Sequence, residues 1–170
     1  SHWTAKKAYS KVVEVCKTYM DKDCWEDAFT AIIMCYLRMN NENEELGYLN
    51  ELRVFVEKYA DREVKALKAL EALQQYYMKT HQYAETIRIL NRLMEQCDPG
   101  EHGKILHYLQ GKGRCYREIK DYPSAISELL DWLDIVKRNK ITERYTIRNT
   151  CIYIELAELY FETGDYENAE

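Results

Sequence analysis

Phe161-Glu162-Thr163-Gly164-Asp165-Tyr166-Glu167-Asn168-Ala169 is the stretch that decides how this chain folds. Before it, over residues 143–162, apolar residues recur at three- and four-residue steps, as on one face of a helix; a short polar break follows, and a new helical pattern starts at Tyr166. The same grammar runs back to the N-terminus. Periodicity predicts helices over 3–19, 25–39, 44–59, 62–78, 83–97, 104–119 and 123–138, separated by short polar breaks.

In the first helix the apolar stripe is Ala5, Ala8, Tyr9, Val12, Val13, Val15, Cys16 and Tyr19; in the second it is Ala28, Phe29, Ile32, Ile33, Cys35 and Tyr36. Asp121 before Tyr122 and Pro123 is a helix start, because its carboxylate accepts from free amides and proline suits the first turn. Asp98-Pro99-Gly100 is a stop. Period-two alternation is absent, so no strand is expected.

A chain of 170 residues suffices for one domain or one short repeat array. Only six glycines and two prolines are available for turns, which favours long helices. Fifteen tyrosines against three phenylalanines suit half-buried positions, where the ring packs and the hydroxyl meets water. A net charge of −5 without a basic cluster argues against nucleic-acid and anionic-membrane binding. The six cysteines are scattered, with no Cys-x-x-Cys pair, and read as reduced, buried small hydrophobes. No apolar run is long enough for a membrane span or a signal peptide, so the expected location is cytoplasmic or nuclear. Ser1 and His2 resemble cloning residue and are set aside.

The stretch quoted first resembles the turn of a tetratricopeptide repeat, in which glycine leaves the first helix and an aromatic and a small residue open the second. With Tyr166 as the turn aromatic, Leu156, Ala157 and Tyr160 fall where this family places Leu, a small residue and Tyr. Three other turns align: Tyr116, Asp121, Tyr122 and Ala125, with Gly113 at the small position; Tyr77, Tyr83 and Leu90; and Tyr19, Trp25, Ala28 and Ile32. From Trp25 to Tyr83, Tyr122 and Tyr166 the steps are 58, 39 and 44 residues, against about 34 in the regular form. Thr86 stands where alanine is expected, and the long gap holds an extra helix over 44–59.

The resemblance implies an all-α, right-handed α-solenoid of antiparallel helical hairpins forming one domain over 1–170. Its hairpins are expected at 3–39, 44–78, 83–119 and 123–162, with 166–170 starting a further helix. Such hairpins cannot bury both apolar faces alone, which is why they stack. A chain that stops four residues into a helix is expected to be a piece of a longer array.

Residues with catalytic or metal-binding potential do not assemble into a motif. Cys97, His102 and His107 have zinc-capable side chains, but lack the tight pairs of structural zinc sites. A cysteine nucleophile needs an adjacent base, and none of His2, His81, His102 and His107 is well placed. Gln110-Gly111-Lys112-Gly113-Arg114 lies within a helical pattern, so Gly113 is better explained by close helix packing than by phosphate binding. No enzyme activity, cofactor or metal is expected.

What the resemblance implies instead is a concave groove lined by the first helices. Its partner-contacting positions fall on Lys68, Glu71, Gln75, Met78 and Lys79; on His107, Gln110, Arg114, Arg117 and Glu118; and on Cys151, Ile154, Glu158, Phe161 and Glu162. The middle helix is cationic and the last acidic. Members that grip chaperone tails do so with Lys, Asn and Arg, whereas the corresponding positions here hold Glu71, Gln75, Gly111, Cys151 and Glu155, so that carboxylate clamp is not expected. The expected function is a non-catalytic scaffold holding a partner protein or peptide within a larger assembly. The alternative is a helical regulatory or sensor domain that binds a small ligand or regulates an enzyme. Nucleic acid and membrane are not expected partners, and the oligomeric state is not written in the sequence.

Overall fold

The computed structural model describes residues 2–43 and 47–169, and every regular element among them is helical. In chain order these are α1 (His2–Lys17), α2 (Trp25–Glu42), α3 (Tyr48–Lys58), α4 (Leu67–Lys79), α5 (Tyr83–Glu95), α6 (His102–Glu118), α7 (Tyr122–Arg138), α8 (Thr146–Thr163) and α9 (Tyr166–Ala169), with a single 3₁₀ turn at Glu143–Tyr145. The expected helices are all present. Residues 44–46, the start of the expected helix 44–59, lie outside the described residues. The chain divides into two compact units, Ser1–His81 and Gln82–Glu170.

In the first unit α2 is the hub, with α1, α3 and α4 packed on it. Its core includes Phe29, Ile32, Ile33, Leu52, Leu70 and Tyr76, each almost fully excluded from water. The expected stripe of α1 needs correction. Val13 and Met20 are buried, whereas Val12, Val15 and Tyr19 are exposed, because α1 packs chiefly on α2 and so buries only a narrow face.

The start of α4 also differs from the expected residue 62, and the cause is tertiary. The Arg62 guanidinium donates to the Met20 carbonyl at 2.6 Å and meets the Asp21 carboxylate at 3.2 Å. It lies 5.2 Å from the Trp25 ring and 4.7 Å from that of Tyr59, in cation–π contact with both. Farther on, the Glu26 carboxylate accepts from the backbone N–H groups of Lys65 at 2.9 Å and Ala66 at 2.7 Å. Ala66 is thereby held extended, at φ −63° and ψ 130°, and the helix begins only at Leu67.

The second unit follows the repeat pattern more closely. Leu106, Leu109, Ala125, Leu129, Trp132, Ile152, Leu156 and Leu159 form one apolar seam through α6, α7 and α8. Trp132 and Tyr145 meet edge to face, with centroids 6.0 Å apart. The close approach anticipated at Gly113 is present: a Cβ there would come within 3.0 Å of Leu129 Cδ2. Thr86 is fully buried, and its hydroxyl donates to the Gln82 carbonyl at 2.9 Å, which explains how threonine fits a small-residue position.

Three of the four aligned turns share one device, the one before Trp25 having no left-handed residue. Gly164 has φ +77°, and the Asp165 N–H donates back to the Tyr160 carbonyl at 2.9 Å. Between α6 and α7, Lys120 has φ +62° and the Asp121 N–H donates to the Tyr116 carbonyl, also at 2.9 Å. His81 has φ +56°. In each case the left-handed residue stands two positions before the turn aromatic, and it closes the preceding helix. Asp121 caps α7 as expected, accepting from the Ser124 N–H at 3.3 Å and its hydroxyl at 2.7 Å.

Candidate protein-binding face

Each first helix turns its apolar stripe inward, which decides what is left for solvent. On α4, Ala69, Leu70, Ala72, Leu73 and Tyr76 are buried; Lys68, Gln75 and Lys79 are exposed, and Glu71 and Met78 are half-buried. On α6, Leu106, Tyr108, Leu109, Lys112, Gly113 and Cys115 are buried; His107, Arg114 and Glu118 are exposed, and Gln110 and Arg117 are half-buried. On α8, Ile152, Leu156 and Leu159 are buried, while Cys151, Ile154, Glu158, Phe161 and Glu162 are exposed. The α4 set belongs to the first unit and the α6 and α8 sets to the second.

Within the second unit, α6 and α8 are laced together by charge. Arg117 pairs with Glu158 at 2.8 Å and with Glu162 at 2.9 Å. Arg114 reaches Glu155 at 3.4 Å, and the Gln110 amide donates to the same carboxylate at 3.1 Å. Hydrogen bonding to Glu158 and then to Glu162 holds the Arg117 guanidinium above its usual pKa, so it stays a cation throughout the accessible range. The cationic stretch of α6 is therefore no free basic surface, since both arginines are engaged by α8. Glu155 is the residue that sequence reasoning underrated, having been considered only as a clamp position. Its signal was spacing: Glu155, Glu158 and Glu162 share one helical face, as do Gln110, Arg114 and Arg117.

Beside this lattice α8 carries an apolar stripe. Ile147 is 82% exposed, Ile154 54% and Phe161 64%, with exposed Cys151 on the same face. The seven-residue steps from Ile147 to Ile154 and from Ile154 to Phe161 keep these side chains in line.

The glycines around Lys112 serve packing. Gly111 approaches Leu90, with 3.3 Å to a Cβ built there, and Gly113 approaches Leu129. Lys112 is 8% exposed, and its ammonium meets the Glu128 carboxylate of α7 at 2.7 Å. The reading of all six cysteines as buried holds for only two: Cys35 and Cys115 are buried, Cys16 and Cys97 half-buried, and Cys24 and Cys151 exposed. Cys24 and Cys97 lie in loops, and Cys151 lies on the exposed face of α8. Burial, with Glu118 adding to it, pushes the Cys115 thiol up to about 11, far from a nucleophile's range. Among the described residues no three His, Cys, Asp or Glu side chains come together as metal ligands. No helix among them is long and apolar enough to cross a membrane.

Neither a family model nor a curated protein matches this sequence. Solved structures do. A mutant form of MamA, a tetratricopeptide-containing protein, aligns over 99% of this chain and 87% of its own, with a TM-score of 0.57 and 15% identity. MamA MSR-1 gives 0.56 at 15% identity over 99% and 86% of the two chains. A further MamA crystal structure gives 0.52 at 14% identity over 97% and 86%. The fold is a tetratricopeptide-like helical repeat. At this identity the likeness speaks for the fold alone, and it agrees with the all-α solenoid class expected from the turns.

Proposed function

We propose that this chain is a non-catalytic scaffold that holds a partner protein or peptide as part of a larger assembly, the hairpins of both units acting as one repeat array. The observation that carries the reading is the exposed stripe of Ile147, Ile154 and Phe161 on α8, on the same helix as Glu158 and Glu162 and set beside the Arg114 and Arg117 lattice. Apolar groups aligned on a polar face are what a protein surface offers a partner. Lys68, Glu71, Gln75, Met78 and Lys79 on α4 are the contact positions of the first unit in this reading. Because Glu71, Gln75, Gly111, Cys151 and Glu155 replace the Lys, Asn and Arg of a carboxylate clamp, chaperone tails are not the partner in this reading. A cytoplasmic or nuclear setting suits a scaffold whose cysteines stay as thiols.

The test is affinity capture from lysate with the wild-type chain and an Ile154→Asp, Phe161→Asp variant, read by quantitative mass spectrometry. Loss of about tenfold for one specific partner, at unchanged thermal stability, is expected for two exposed anchor residues. Equal capture by both chains would remove α8 from the binding face.

A further inference from the structure

The first unit holds a cavity of about 440 Å³ that includes none of the candidate contact positions on α4, lined by Lys17, Tyr36, Glu51, Val54, Phe55, Lys58 and Tyr59. On α3 the buried stripe is Leu52, Phe55 and Val56, facing α2. The neighbouring stripe, Glu51, Val54 and Lys58, faces the cavity instead. We propose that this groove is a docking slot for a short peptide segment of a partner protein, in which an apolar side chain is followed closely by Asp or Glu.

Its floor is apolar. The Phe55 and Tyr59 rings lie 5.2 Å apart and are tilted, and Val54 beside them is 68% exposed, so its side chain is open to a docked apolar group. A pocket of this size takes one large side chain with the adjoining backbone, and is small for a docked helix.

Its charge is unbalanced. Glu51 is the single carboxylate in the lining, and it accepts a hydrogen bond from the buried Tyr36 hydroxyl. Burial first, and then this carboxylate, raise Tyr36 above the ordinary phenol range, so the proton stays on the tyrosine and the bond is kept at neutral pH. Lys17 and Lys58 have no carboxylate partner among the described residues; the Lys58 ammonium lies 5.4 Å from the Tyr59 ring. Each ends its helix, where a cation also complements the dipole. Two ammonium groups at the rim of an aromatic slot, facing one committed carboxylate, call for an acidic complement next to an apolar anchor.

Heptapeptide display selected on the whole chain tests this directly. Enriched sequences should carry a large apolar residue with Asp or Glu within two positions. Binding of the best peptide, measured by fluorescence anisotropy, should weaken about tenfold or more in Val54→Arg. A Lys17→Glu, Lys58→Glu variant should shift the selected flank from acidic to basic residues, a reversal that loss of folding could not produce; thermal melts of both variants confirm the fold. Enrichment without an acidic flank, enrichment indifferent to Val54→Arg, or an acidic preference that survives the lysine reversals would each overturn the proposal. So would binding of octanoate with no peptide selected, which would assign the slot to a lipid-like carboxylate.

Discussion

The two units hold their helices by different means. In the second unit the turns close locally: left-handed Lys120 and Gly164 end their helices and Asp121 caps the next, while the distant pairs, such as Arg117 with Glu158, join helix to helix along the seam from Leu106 to Leu159 and pin no connection. In the first unit the decisive links run between residues about forty positions apart, Arg62 to Met20 and Glu26 to the amides of Lys65 and Ala66. Regular repeats need only their turns and their apolar faces. An interrupted repeat must recruit side chains to pin the connection that its turn no longer makes.

That difference can be broken first at Arg62. Arg62→Ala removes a charged hydrogen bond to a carbonyl and the contacts with Trp25 and Tyr59; together these predict a loss of about 2–4 kcal/mol in denaturant unfolding. Hydrogen exchange should quicken over 59–66 and at the start of α4, and not in the second unit. A loss spread evenly over both units would show that the anchor is no local device.

The nearest counterpart in the second unit is the pair of Lys112 and Glu128. Glu128→Ala strands an ammonium that is only 8% exposed and should cost about 2–4 kcal/mol. The double variant Lys112→Met, Glu128→Leu should recover most of it, because two apolar side chains of similar size need no partner. Failure of that recovery would mean that the charges themselves stabilise the unit.

The smallest effects belong to the turns. Lys120→Gly relieves a left-handed residue and should stabilise by about 0.5–1 kcal/mol, whereas Gly164→Ala should destabilise by a similar amount. The opposite signs, read from thermal melts, would establish that both turns use the same geometry. Equal signs would refute it.

Where sequence reasoning succeeded, the cause was local. Gly164, Asp121 and the spacing of Tyr116 and Tyr122 state turns and caps within a few residues, and Gly113 states a close contact through its missing side chain. Where it failed, distant groups decided. Arg62 and Val64 look helical by pattern, yet Arg62 is drawn to Met20 and Val64 is buried within the connection. Val12, Val15 and Tyr19 continue an apolar stripe that α2 alone is too narrow to cover. Which positions of α4, α6 and α8 are kept from the core was largely legible, because burial follows helical period, although Glu71, Met78, Gln110 and Arg117 are half-buried. The electrostatics of the candidate face was legible only as two charged helical faces; which carboxylate Arg117 meets is decided by how α6 and α8 lie against each other.

The buried pair between α6 and α7 has a consequence for registration. Sliding α6 by one helical turn would bring the Lys112 ammonium level with Trp132, which offers no acceptor, or with Ser124, which offers a neutral hydroxyl in place of a carboxylate. Apolar seams tolerate such a shift, because one leucine resembles the next. A single charge that finds its counterpart at only one rung turns two smooth surfaces into a keyed joint.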